Sequence, residues 1–159
     1  MEVSTITVHK ILGIDPGNTI GIAVTEAQST TILELEQVKF DDFAEWLSNF
    51  DTEGLSYIIM EDFRLFKNKA KEQTGSDFQS VQCIGMVKFW ARGKGVPVIL
   101  QMSSILPIAE RQAGLKMPKD HSESHKIAAL LHIRFWQIQK GLIPSVLQLK
   151  IQRTMKKDA

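Results

Sequence analysis

Two carboxylates in this chain stand at the ends of apolar runs, where strand ends can bring them together. Asp15 closes the run from Ile6 and is followed by Pro16-Gly17-Asn18, residues that favour a turn. Glu61 closes Leu55–Glu61 within Tyr57-Ile58-Ile59-Met60-Glu61-Asp62. If the two runs are parallel neighbouring strands about 4.8 Å apart, both C-terminal ends lie on one sheet edge and the two side chains converge. Converging carboxylates repel unless a proton or a cation lies between them. A hard divalent cation with oxygen ligands resolves that repulsion most simply. Asp62 falls on the opposite face by strand alternation and ranks below Glu61.

A third acidic group is Asp120-His121-Ser122-Glu123, at the start of the last long apolar-periodic segment. A spacing of three puts Asp120 and Glu123 on one helical face. The same residues also suit a first helical turn, where acidic side chains oppose the macrodipole and Ser122 can cap. His121 is an adjunct to the carboxylates on this reading. His125 and His132 follow at spacings of four and seven and are assigned to the helix surface or to packing, because no cysteine or further histidine accompanies them. Ser103-Ser104 and the single cysteine, Cys83, have no base partner in sequence, so nucleophilic catalysis is not supported.

These residues need a sheet to position them. Ile6–Asp15, Ile20–Thr25 and Thr31–Val38 read as three strands of an antiparallel meander. A helix from Asp41 or Asp42 to about Phe50 carries Phe43, Trp46, Leu47 and Phe50 at helical spacing. Because strand–helix–strand crossovers are right-handed, the strand at Leu55–Glu61 is expected parallel to the first. A long helix follows from Asp77, then a strand at Val96–Gln101 and a short helix from Ser103 to about Gln112. The final helix runs from about Asp120 to Lys140, with Ile127, Leu130, Leu131, Phe135 and Ile138 as its apolar stripe. The expectation is one α/β domain over residues 1–140. Its sheet has five strands, three antiparallel and then two parallel, with helices on both faces, and a basic C-terminal tail covers 141–159.

Length and composition agree with a single domain: 159 residues, 43% hydrophobic and 23% charged, can bury a core. One cysteine excludes an internal disulfide framework and a zinc finger. The apolar runs are shorter than a membrane span requires and no signal-peptide pattern opens the chain, so a cytoplasmic protein is expected. The formal net charge of +1 hides an asymmetry, with two basic against twelve acidic residues in 1–63 and seventeen against six in 64–159. A split of this size points to a polyanionic partner. Arg64, Phe66, Lys67, Lys69 and Lys71 follow Glu61 directly, and Lys119 precedes the last helix. Cations interleaved with aromatics suit phosphate contact and base stacking.

With those residues set out, the sequence resembles the RuvC-like Holliday-junction resolvases, a branch of the ribonuclease H-like superfamily, and its small phage-type members in particular. The likeness rests on Leu12-Gly13-Ile14-Asp15-Pro16-Gly17 followed by Gly21, on Ile58-Ile59-Met60-Glu61-Asp62-Phe63-Arg64, and on the acidic start of the last helix. It spans roughly residues 8–138. It implies a ribonuclease H-like fold and an endonuclease that cuts branched DNA, commonly as a homodimer, with two Mg²⁺ or Mn²⁺ ions per site. Carried over by position, Asp15 would bridge the metals, Glu61 would bind one of them, and Asp120 with Glu123 would complete the set. Phe63 or Phe66 would be the aromatic that opens a junction. The family's last helix carries Asp or His, two residues, then Asp and Ala, and two registers fit here. One uses Asp120 and Glu123; the other pairs His121 with Ser124 and leaves the final carboxylate missing.

Overall fold

The computed structural model describes residues 9–63 and 75–159, and of residues 75–77 the backbone alone. Strands β1 (Lys10–Asp15), β2 (Thr19–Glu26) and β3 (Ile32–Lys39) form the antiparallel meander. Helix α1 (Phe40–Asn49) crosses to β4 (Leu55–Glu61), which pairs parallel with β1. Helix α2 (Gly75–Lys94) crosses to β5 (Val98–Gln101), parallel to β4, so the strand order is β3-β2-β1-β4-β5. A 3₁₀ turn at Ser103–Ile105 leads into α3 (Leu106–Ala113), another at His121–Glu123 into α4 (Ser124–Gln139), and α5 (Val146–Lys157) closes the chain. The three-antiparallel, two-parallel sheet is the one the strand periodicity predicts.

Strand alternation splits the apolar residues between two cores. Leu12, Ile14, Ile20, Ile22, Ile58 and Met60 face α1 and α2, meeting Phe43, Leu47, Cys83, Val87 and Ala91. Ile11, Ala23 and Ile59 face α4, meeting Ala129, Leu130, Ile133 and Trp136. Burying one Leu or Ile contributes roughly 1.5–3 kcal/mol, so these two layers fix where the strand ends lie. The outer strand β3 is largely exposed and carries Glu34, Glu36 and Lys39, charges that guard an open edge.

Helix α4 lies unusually close to the sheet because two glycines clear its path. A Cβ on Gly13 would stand 2.6 Å from the Ala129 carbonyl oxygen, and one on Gly21 only 1.9 Å from that of His125. Both glycines lie on the α4 face, in line with Ala23 and Asp15, their cross-strand partners. The far end of α4 is pinned by side chains. Gln137 Nε2 donates to the carbonyls of Glu26, Ala27 and Ser29, while the buried Arg134 donates to the Thr30 carbonyl and to Gln137 Oε1. Backbone acceptors of the β2–β3 turn thereby satisfy a guanidinium that would be costly to bury alone.

Several expectations are revised. The predicted α4 stripe is too narrow: Ala129, Ile133 and Trp136 are buried against the sheet, Ala128 is buried too, and α3 packs on α4 as well. The α1 helix begins at Phe40, one residue before the predicted cap, with Asp41 and Asp42 in its first turn. The C-terminal segment is helical from Val146, begun by a capping box in which Ser145 and Gln148 exchange hydrogen bonds. Among the described residues no helix is long and apolar enough to cross a membrane.

Candidate functional site

One residue from each strand forms a row across the sheet at the edge where β1 and β4 end. Gln37 of β3 pairs with Gly21 of β2, and Gly21 pairs with Asp15 of β1. The β1–β4 register Ile14 to Met60 sets Asp15 beside Glu61 at the next step, and Glu61 pairs with Gln101 of β5. All five belong to the face that α4 covers. The adjacency of Asp15 and Glu61 is thus a product of parallel pairing, as the two apolar runs imply.

Helix α4 contacts every member of that row. Gln37 accepts from the Lys126 backbone N–H and donates to the Ser122 carbonyl, fixing where the helix begins. Gly21 receives the His125 backbone. His125 Nδ1 lies 2.9 Å from Asp15 Oδ2. One turn pair later, His132 Nε2 lies 2.9 Å from Glu61 Oε2 and its Nδ1 lies 2.8 Å from Gln101 Oε1. The spacing of seven between the histidines sets both on the sheet-facing side of the helix. The site is therefore two carboxylate–imidazole pairs held between β1, β4 and α4.

The electrostatics follow from burial. Asp15 is largely enclosed, and that burial, reinforced by the neighbouring Glu61 carboxylate, holds its pKa above the ordinary value of 3.8 against the opposing pull of the His125 hydrogen bond. The bond to Asp15 in turn raises His125 above 6.5, against the smaller effect of its own partial burial. Cys83, beneath the sheet, has its thiol pushed up to about 12, mainly by burial, which makes it inert as a nucleophile.

The acidic start of the last helix is placed differently from the carboxylate pair. Asp120 is fully exposed and turns back on its own chain, accepting from the Ser122 N–H and hydroxyl at 2.9 and 2.8 Å, bonds that hold its pKa below 3.8. Glu123 is paired with Lys126. His121 is exposed, its ring edge-on to that of His125 at 5.4 Å, and its Nδ1 lies 3.4 Å from the Ser124 hydroxyl. Among the described residues no three His, Cys, Asp or Glu side chains already surround a common metal position. The structure thus joins Asp15 to Glu61 and does not join Asp120 and Glu123 to them, since the first turn uses those acids for its own cap and ion pair.

The donors present nevertheless suit a divalent cation. Two adjacent carboxylates, one of them desolvated, concentrate negative charge, and imidazole nitrogens border both. Of the expected DNA-contact residues, Lys119 is exposed just before the 3₁₀ turn, while Arg64, Phe66, Lys67, Lys69 and Lys71 lie outside the described residues. Phe63 is partly buried and packs against the α1–α2 core. Sequence reasoning missed His125, His132 and Gln101. Two signals pointed to them: the seven-residue histidine spacing, and the glycines at 13 and 21 that mark where a helix backbone can approach a strand ending in Asp15.

Neither a comparison with protein-family models nor one with curated protein sequences gives a match. Comparison with solved structures does. The chain is similar to Thermus thermophilus RuvC in complex with a Holliday junction substrate, with a TM-score of 0.56, 18% identity and coverage of 87% of this chain and 99% of that one. It is likewise similar to a second T. thermophilus RuvC structure, with a TM-score of 0.52, 16% identity and coverage of 86% and 99%. The chain has a RuvC-like, ribonuclease H-like fold.

Proposed function

We propose that this chain is a metal-dependent endonuclease that cuts branched DNA, four-way junctions in particular, working as a homodimer whose two sites nick two strands. The observation that carries this reading is the adjacency of Asp15 and Glu61 at the shared end of β1 and β4, within a RuvC-like fold. Two Mg²⁺ or Mn²⁺ ions, when bound, supply an activated water and stabilisation of the leaving 3′-oxygen.

The protein's own part is positioning and charge. Asp15 and Glu61 hold the cations from rigid strands whose opposite faces are packed on α1 and α2. His132, locked by Gln101, fixes the Glu61 carboxylate, and α4 excludes water from that side of the site. The cations Arg64, Lys67, Lys69 and Lys71, with Phe66 among them and Lys119 beside α4, bring phosphates toward the negative cluster. That contact makes binding strongly salt-dependent.

The test uses labelled four-way junction and linear duplex with Mg²⁺, Mn²⁺ or EDTA. Symmetric, metal-dependent nicking of the junction is the expected result, and Asp15→Asn should abolish cutting while binding persists. A second reading, a branched-DNA-binding protein without nuclease activity, is favoured by one specific feature: Asp120 and Glu123 are engaged within their own turn. Junction binding with no cutting in either metal would establish that alternative.

A further inference from the structure

Helix α5 has little packing of its own. Every residue from Leu147 to Lys157 is exposed, and the helix joins the domain at Val146, set so close to Gly114 that a Cβ there would stand 2.8 Å from Val146 Cγ2. A helix of twelve residues is marginal in water without a surface to rest on. Its charge indicates which surface, because α5 carries Lys150, Arg153, Lys156 and Lys157 and no acidic residue. We propose that α5 grips the phosphate backbone of a duplex arm beyond the cutting site, so that affinity for a junction grows with the length of its arms. This inference rests on the branched-DNA reading given above and adds a second contact, remote from the carboxylates.

Three observations carry it. The first is the arrangement of the charges. Lys150, Arg153 and Lys157 recur at spacings of three and four, which sets them in one row along the helix. Among the described residues the ion pairs lie elsewhere, at Asp15, Glu61 and Glu123, so none of the α5 cations is neutralised. The second is continuity with the site. Gly114, which meets the base of α5, opens the segment 114–119, and that segment carries exposed Lys116 and Lys119 into the turn before α4. Arg111 is exposed at the end of α3, while Glu110 is turned onto the Met117 N–H. A line of cations thus leads from the start of α4 to α5.

The third observation is reach. The segment 114–119 spans at most about 20 Å, and a helix the length of α5 spans about 18 Å. At 3.4 Å per base pair, the base of α5 stands within about six base pairs of the turn that opens α4, and its tip within about eleven. A membrane surface is the competing partner, since Leu147, Ile151 and Met155 form an exposed apolar row. That row is one residue wide, is flanked by Gln148, Gln152 and Thr154, and has no tryptophan or phenylalanine to anchor it. Its middle member, Ile151, borders a groove with Leu142, Ile143 and Pro144, so this side of α5 is turned toward the domain's own apolar residues.

The experiment measures binding of the full chain, in EDTA and over a range of salt, to four-way junctions whose hairpin-closed arms are 6 or 16 base pairs long. The unaltered protein should bind the long-armed junction at least about tenfold more tightly. Replacing Lys150, Arg153, Lys156 and Lys157 together by Gln should erase that difference and lower the long-arm salt slope by about 3, with short-arm affinity kept as the sign of an intact fold. Replacing Leu147, Ile151 and Met155 by Gln should leave both affinities as they were. If the four-cation variant keeps the arm-length difference and the salt slope, the inference fails and the junction-binding reading stands. Sedimentation with phosphatidylserine vesicles that the apolar-row variant loses, joined to unchanged DNA binding by the four-cation variant, would overturn it in favour of a membrane surface. If the unaltered protein binds neither junction, the branched-DNA reading itself is overturned.

Discussion

The two carboxylate–imidazole pairs use the same groups at the same 2.9 Å separation, yet they live in different surroundings. In the first, His125 and Asp15 keep 27% and 13% of their side-chain surface exposed. In the second, His132 has none and Glu61 keeps 23%. Gln101 satisfies the remaining nitrogen of His132, while the His125 ring lies 5.4 Å, centroid to centroid, from the tilted ring of the exposed His121. The His132 ring is sealed and held at both nitrogens, whereas the His125 ring is partly open and held at one. Identical local chemistry therefore divides into a fixed support and an adjustable contact, and burial decides which is which.

Perturbing what both pairs share should have the largest effect. Gly21→Ala places a Cβ against the His125 backbone, and with no flexible side chain to yield, α4 must lift from the whole row. A loss of more than about 3 kcal/mol is expected in urea unfolding, together with loss of cation binding. A variant that melts like the parent would show that α4 does not rest on β2 as described.

Next comes the sealed pair. His132→Ala leaves Glu61 and Gln101 without their partner and opens a cavity, at an expected cost of about 3 kcal/mol. His132→Gln, which retains a polar group, should recover part of that loss. The open pair should respond least: His125→Ala should cost about 1 kcal/mol because water can replace the lost bond. Equal destabilisation by His125→Ala and His132→Ala would erase the distinction between support and contact.

The smallest effect is on protons. Both Asp15 and His125 have raised pKa values, so the folded protein holds protons that the unfolded chain releases. The stability that His125 gains from Asp15 is complete below about pH 6.5 and is lost as pH rises through its higher folded value. Burial of Asp15 has the same sign, favouring the folded state at low pH and opposing it once the carboxyl ionises, from about pH 4 upward. In metal-free protein, NMR titration should find His125 above its ordinary value, and Asp15→Asn should bring it down. An unchanged His125 titration in that variant would remove the pair as its cause.

Much of this edge was legible in the sequence, for identifiable reasons. Leu55–Glu61 is a continuous apolar run with an acid at its end, and the strand has those same bounds. Asp15 is followed by turn residues, and the crossover rule then makes β1 and β4 parallel neighbours. His125 and His132 were misread because their partners lie 110 and 71 residues away, and helical spacing alone does not say which face meets a sheet. Asp120 and Glu123 attracted a catalytic reading because carboxylates in a first turn serve caps and metals equally well. Here the Ser122 N–H and Lys126 claim them.

The most direct test of the central claim is a crystal soaked with Mn²⁺ and measured at the manganese absorption edge. The account predicts an anomalous peak bordered by Asp15 and Glu61, with His132 behind Glu61 and no peak at Asp120 or Glu123. A peak held by Asp120 and Glu123, or none near Asp15, would contradict it.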